Sequence, residues 1–334
     1  MTAGKSPRLE LVCPAGTPAG LRTAVDAGAH AVYCGYRDET NARNFPGLNF
    51  DRGEMRDGIA YAHKHGAKVL VALNTFMRAG ATDLWQRAVD DAVAAGADAL
   101  ILADIGLIAY ARTSYPDQRL HLSVQAAAAT AEAIAFCRDR FGVARVVLPR
   151  VLTLEEIVRL TAAAAPCETE VFVFGGMCVM AEGRCLLSSY ATGKSPNMNG
   201  VCSPPSHVSY REDAGTLVAE LGGFTIERFA RHQPAGYPTL CKGRFVANGA
   251  TSHLFEEPTS LNAIELLPRL VAGGVTAFKI EGRQRGRAYT AAVTRAFRSA
   301  LDAIAAGKEF DVGMLRALTE GQRDTTGAYR KAWR

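Results

Sequence analysis

Four of the eight cysteines, Cys178, Cys185, Cys202 and Cys241, fall in one stretch, with 6, 16 and 38 residues between successive members. Thiolates are soft ligands, so grouped cysteines suggest zinc or an iron–sulfur cluster. Structural zinc sites use cysteine pairs roughly two to four residues apart, and this stretch has no such pair. Wide, uneven spacing wraps more easily around a larger cubane cluster. Gly175, Gly176, Gly183, Gly193 and Gly200 crowd the same segment, where they would let backbone amides approach cluster sulfurs. On the residues alone three readings stand side by side: ordinary core or surface cysteines, a zinc site, and an iron–sulfur cluster, the last favoured by the spacing.

The elements that must carry this stretch repeat. A glycine at a helix end, a short side chain and then an apolar strand recur at Gly28, Gly66, Gly96, Gly142 and Gly274. Glycine past a helix end is the usual left-handed stop, and its recurrence marks βα units. Residues 9–13, 31–35, 68–74, 99–103, 120–125, 144–149, 170–174 and 277–280 read as near-continuous apolar runs. Such runs suit a parallel sheet covered by helices. Thr17-Pro18 reads as an N-cap followed by proline in the first turn, and Thr153 to Glu156 as a capping box. Trp85, Ala88, Val89 and Ala92 make one helical stripe, and Tyr289, Val293, Phe297, Leu301 and Ile304 another.

Eight strand–helix units predict an α/β chain with a TIM-type (βα)8 barrel; an open doubly wound sheet is the runner-up. The predicted division is residues 1–176 for the first seven strands, 177–256 for a cysteine-rich cluster-binding insertion, 257–309 for barrel completion, and 310–334 for a polar tail with no assigned place. The insertion follows the seventh strand and so falls on the catalytic face. Pro268 lies in an apolar pattern starting at Leu261, which predicts a kink or a late helix start.

A barrel also puts specific polar residues at that face. Asn41, Arg43 and Asn49 follow the second strand, Asn74 the third and Gln125 the fifth, while Arg150 follows the sixth and Glu281 and Arg283 the eighth, and all are candidate substrate-binding residues. Guanidinium groups bind carboxylates through paired charge-assisted hydrogen bonds. The three arginines could therefore cluster on a dianionic substrate, or else pair with carboxylates such as Glu281 in surface salt bridges. Asn74 and Gln125 could orient a substrate or satisfy rim backbone groups. Cys13 reads as small apolar filler. His121, inside a strand, reads as a core histidine, and the seven histidines include no HExxH pair.

Hydrophobic content of 48% and charged content of 21% describe a globular chain with ample core. A net charge of +5 without a Lys/Arg run fits a small anion at least as well as RNA. Met1 to Arg8 is polar and lacks an apolar leader core. Residues 171–181, among the longest apolar runs, fall short of the about 20 needed to cross a bilayer. The expected location is the cytoplasm, where cysteines serve as metal ligands or reactive thiols more than as disulfides.

Residues 170–175 followed by Cys178 and then Glu182-Gly183-Arg184-Cys185-Leu186-Leu187-Ser188 resemble the signature of the collagenase-like peptidase family. So do residues 11–16, 41–43, 47–50, 147–150, 237–244, 257–262 and 279–283, which spread the likeness over nearly the whole chain. Gly176 departs from the signature, which carries serine or alanine there. The resemblance implies a 4Fe-4S cluster on Cys178, Cys185, Cys202 and Cys241. It also implies oxygen-independent hydroxylation, with prephenate as hydroxyl source. In one branch of the family that activity serves ubiquinone synthesis in a heterodimer with a UbiV-like partner; other members hydroxylate tRNA or rRNA. A barrel rim has no obvious channel for a polyprenyl tail, so a lipid-carrying protein is a further expected partner. The rivals to the ubiquinone reading are an RNA hydroxylase and a non-catalytic, metal-stabilised scaffold.

Overall fold

The computed structural model describes residues 9–319 and 323–330; the expectation about Met1 to Arg8 lies outside them. Six strand–helix units open the chain. They are β1 (Glu10–Pro14) with α1 (Pro18–Asp26), β2 (Ala31–Cys34) with α2 (Arg52–Lys64), and β3 (Lys68–Leu73) with α3 (Asp83–Ala94). Then come β4 (Ala99–Leu102) with α4 (Ile105–Ser114), β5 (Leu120–Leu122) with α5 (Ala131–Phe141), and β6 (Val143–Val147) with α6 (Leu154–Ala164). The next strand, β7 (Glu168–Gly176), leads into a long excursion. The excursion holds α7 (Leu187–Thr192), α8 (Pro196–Asn199), a three-stranded antiparallel sheet and a hairpin. The sheet comprises β8 (Val208–Asp213), β9 (Thr216–Leu221) and β10 (Phe224–Phe229), and the hairpin β11 (Arg244–Ala247) and β12 (Ala250–His253). The chain returns through β13 (Ser260–Asn262), α9 (Leu267–Ala272), β14 (Ala277–Ile280) and α10 (Arg287–Ala305).

The parallel strands follow one another in order from β1 to β7, and β14 bonds to both β1 and β7, which closes an eight-stranded TIM-type barrel. The glycine stops hold: Gly28, Gly66, Gly96, Gly142 and Gly274 all have positive φ. Thr17 caps α1 through the Gly20 amide, and Thr153 and Glu156 form the capping box of α6. The stripes of α3 and α10 bury Trp85 and Phe297 against the sheet, and the Phe297 ring lies 5.7 Å from Phe174 of β7. Among the described residues no helix is long and apolar enough to cross a membrane.

Two local expectations change, and at Pro268 the structure selects between two alternatives. The fifth strand stops at Leu122, and Val124–Ala126 make a 3-10 turn capped by Ser123. At Pro268 the late start holds and the kink does not: α9 begins at Leu267, not Leu261, and puts proline in the first turn, where its missing N–H is harmless. The C-terminal stretch is not a free tail in its described part: β15 (Asp324–Thr325) pairs with β13, and the buried Tyr329 hydroxyl donates to the Phe172 carbonyl at 2.5 Å.

The barrel interior is unusual in its charge. Arg145 reaches Glu10 at 2.6 Å, Glu168 at 2.6 Å and Glu170 at 3.2 Å. The fully buried Glu170 also takes Lys279 Nζ at 2.7 Å. Burial pushes the Glu10 carboxyl up, but Arg145 and Lys68 outweigh it and hold it at about 2 against an ordinary 4.5. A depressed carboxyl adds stability that is present above its unfolded value and lost as pH falls toward the folded one. Glu10 should contribute about 3 kcal/mol at neutral pH, fading between about pH 4.5 and 2. Urea midpoints should therefore fall steeply across that window in the native chain and less steeply in Glu10→Gln. Arg145→Met takes one cation from three carboxylates, leaving Glu10 with Lys68, Glu168 with Arg119 and Glu170 with Lys279, and should lose about 3 kcal/mol at neutral pH in the same measurement.

Candidate functional site

The C-terminal ends of the strands converge on a cavity of about 50 Å³. Its floor is Tyr33, Ala72, Ile101, Val147 and Phe172, and polar side chains stand around them. The loop after β2 supplies the first of these. Asn41 is fully buried; its Oδ1 accepts the Arg43 amide at 3.1 Å and Arg283 Nη1 at 2.6 Å, while its Nδ2 donates to the Tyr36 carbonyl. Gly35 is needed beneath it, since a Cβ there would lie 2.6 Å from the Asn41 amide carbon. Asn49, at φ +73°, donates from Nδ2 to the Arg43 carbonyl at 2.8 Å. Asn41 and Asn49 thus hold the two arginines from behind, and neither lines the cavity. Asn74 does line it, accepting the Ala42 amide at 3.0 Å, and Gln125 lines it with its Oε1 buried and, among the described residues, without a hydrogen-bond partner.

Charge dominates the rest of the lining. Arg150 is 4% exposed, stacks 4.4 Å over Phe172, and donates to Glu182 Oε1 at 2.6 Å and to the Gly176 carbonyl. Glu281 accepts the Gly176 amide at 2.9 Å and lies 3.9 Å from Arg43. Burial pushes the Glu281 carboxyl up, but Arg43, Arg150 and the amide outweigh it, so its pKa is lowered. Lys279 stands 3.7 Å over the Tyr33 ring, and burial lowers its pKa despite Glu170. Arg283 is 7% exposed, and burial lowers its guanidinium to about 10. Among the described residues no carboxylate lies within ion-pair distance of it; its contacts are Asn41 and the Tyr33 face at 5.5 Å. The lining holds Arg43, Arg150, Lys279 and Arg283 against Glu182 and Glu281, four cations to two anions, an excess of two positive charges.

The cysteine segment rests on this rim. Gly183, at φ +79°, packs so closely that a Cβ would overlap the Gln125 carbonyl. Gly200, also at φ +79°, would place a Cβ 2.8 Å from the Asn41 carbonyl oxygen. All four thiols are free. Burial raises each pKa, and the neighbouring thiolates add to it: Cys202 for Cys178, Cys178 for Cys185, Cys185 for Cys202, and the other three for Cys241, which is pushed up to about 12. Among the described residues no three His, Cys, Asp or Glu side chains are gathered to hold a metal ion. The four cysteines carry no disulfide, and thiolates are soft donors.

Residues 16–329 match the family described as Peptidase family U32. The chain belongs to that family. Its U32 relatives include tRNA hydroxylation protein P of Escherichia coli, 33% identical over 327 residues, covering 92% of this chain and 71% of the relative. A tRNA hydroxylation protein P1 of Bacillus subtilis is 31% identical over 329 residues, covering 96% and 70%. A 23S rRNA 5-hydroxycytidine synthase of Escherichia coli is 32% identical over 301 residues, covering 90% of this chain and 40% of the relative.

In this U32 chain Arg43, Asn74, Gln125, Arg150, Glu281 and Arg283 meet in one place, as the strand-end argument expected of them. That argument missed Lys279 and Glu182. A lysine within the apolar run 277–280 is a signal in itself, because a buried ammonium needs a partner. Glu182 had no such mark. Cys13 is buried, raised to about 12 by that burial, and accepts the Thr294 hydroxyl at 3.4 Å. His121 is a core histidine whose burial lowers its pKa well below 6.5.

Arg283 is buried with no carboxylate within ion-pair distance among the described residues, so it should serve binding at some cost to stability. Arg283→Met should leave the urea midpoint unchanged or higher while weakening malonate, a small dianion, at least about tenfold by calorimetry. A lower midpoint with unaltered malonate affinity would make Arg283 a structural residue.

Proposed function

We propose that this chain is the iron–sulfur subunit of an O2-independent hydroxylase acting on ubiquinone precursors, a protein of the UbiU type. The observation that carries the reading is the thiol quartet seated on the rim of a cavity with two excess positive charges. Cys178, Cys185, Cys202 and Cys241 would hold a 4Fe-4S cluster, which supplies electron-transfer chemistry when bound. One ion about 2.3 Å from each of four thiolates would need sulfurs only about 4 Å apart; a cubane spans more. The charge excess suits a dicarboxylate, and prephenate as hydroxyl donor fits that requirement. Arg283 and Arg43 would hold its carboxylates, and Gln125 and Asn74 would orient it.

A polyprenyl tail would have to desolvate six charged side chains of the lining, so the ring substrate would reach the site with help. A UbiV-like chain in a heterodimer and a lipid-carrying protein are the partners this implies. Among the described residues, nine of the twelve exposed large apolar side chains fall in residues 186–255, Tyr190 at 84% and Val246 at 75% among them. Such clustering on one segment suits a protein partner.

A second reading, hydroxylation of RNA, is favoured by the named activities of the relatives. It predicts tight tRNA binding that weakens steeply with salt. Protein prepared without oxygen should carry about four irons and four acid-labile sulfides per chain, with an EPR signal on reduction, and should show no salt-steep retention of tRNA on filters. Zinc in place of iron sinks the cluster reading. Salt-steep tRNA binding sinks the ubiquinone reading in favour of RNA. Hydroxylation that survives Arg283→Met, with iron intact, leaves only a scaffold role.

A further inference from the structure

Two guanidiniums face both the cavity and the cysteine segment. Arg150 Nη1 donates to the carbonyl of Gly176, two residues before Cys178, and its Nε donates at 2.6 Å to Glu182, three residues before Cys185. Arg43 Nη1 donates at 3.5 Å to the carbonyl of Gly200, two residues before Cys202. Three of the four cysteines therefore follow directly on a point held by one of these arginines. The same two side chains line the cavity, joined there by Glu281, which lies 3.9 Å from Arg43 and accepts the Gly176 amide at 2.9 Å. We propose that Arg43 and Arg150 couple the cavity to the metal group on the four cysteines, so that anion binding and one-electron reduction oppose each other.

The inference rests on the cluster reading above and adds a linkage to it. Reduction places one more negative charge among the thiolates. Positive groups nearby stabilise that charge, and the Arg43 and Arg150 guanidiniums reach the backbone two residues before Cys202 and Cys178. An anion in the cavity draws on the same positive charge, so it lowers the affinity for the electron. By reciprocity the electron lowers the affinity for the anion by the same factor. In this arrangement the oxidised protein takes up the anion, and reduction loosens it. Arg43 and Arg150 act as positioning and tuning residues between the two sites.

The test is a redox titration of the iron-loaded protein, with dithionite supplying the electron and EPR reporting the midpoint, with and without malonate. Malonate binding is measured separately by calorimetry on the oxidised and reduced forms. Oxidised protein should bind malonate at least about fivefold tighter than reduced protein. For a one-electron couple that equals a downward midpoint shift of about 40 mV on binding. Arg43→Gln should lower the midpoint without malonate and shrink the malonate shift, whereas Arg43→Lys, which keeps the charge, should retain most of both at unchanged iron content. Equal midpoints with and without bound malonate in iron-loaded protein overturn the coupling and leave the cluster reading standing. Failure of malonate to bind either form also overturns the coupling. Protein that takes up no iron overturns both.

Discussion

Buried positive charge is the constraint around which this barrel is arranged, and its compensation thins from base to mouth. At the base Arg145 meets Glu10, Glu168 and Glu170. One layer up, Lys279 shares Glu170 and rests on an aromatic face. At the rim Arg150 has one carboxylate and a carbonyl, Arg43 has a carboxylate only at 3.9 Å, and Arg283 has none among the described residues. Desolvating a cation without a partner is costly, so a fold keeps such a group where a ligand can complete it. The gradient therefore points outward, to the end of the barrel where ligands enter.

The excursion after β7 is held to that end by close backbone contacts as well as by the Arg43 and Arg150 side chains. Gly183 against Gln125 and Gly200 against Asn41 leave no room for a Cβ, and both have positive φ. Close approach of this kind fixes a segment with few rotatable bonds between the contact points. The insertion carries its cysteines on segments locked to the same loops that position the arginines. Geometry at the cavity and geometry at the thiols are then one problem, since Asn41 contacts both Arg43 and Arg283 and its carbonyl abuts Gly200.

Much of this was legible in the sequence because its causes are local. A left-handed glycine stop, an N-cap or a two-sided apolar run needs only neighbouring residues to act, and the barrel followed from their repetition. Strand ends then gave Arg43, Asn74, Gln125, Arg150, Glu281 and Arg283 as cavity candidates. What stayed hidden depends on partners far along the chain. Lys279 finds Glu170 109 positions away, and Tyr329 finds Phe172 157 positions away. Asn41 and Asn49 had the right place but another task, because an amide can hold an arginine as readily as a substrate. Near-continuous apolar strands also disguised the alternation within them: the inward set of the later strands includes Arg145, Glu168, Glu170 and Lys279.

The distribution of polarity also separates two kinds of work. The closed interior and mouth are charged, which suits small anions and excludes long apolar chains. The outer surface of the insertion carries most of the exposed apolar side chains, Leu186, Tyr190, Phe224 and Phe255 among them. Apolar groups in that concentration lose their contact with water only against another surface. A chain built this way keeps its ionic chemistry within its own strands. The two kinds of surface meet at the loops beneath Gly183 and Gly200, which pack against Gln125 and Asn41.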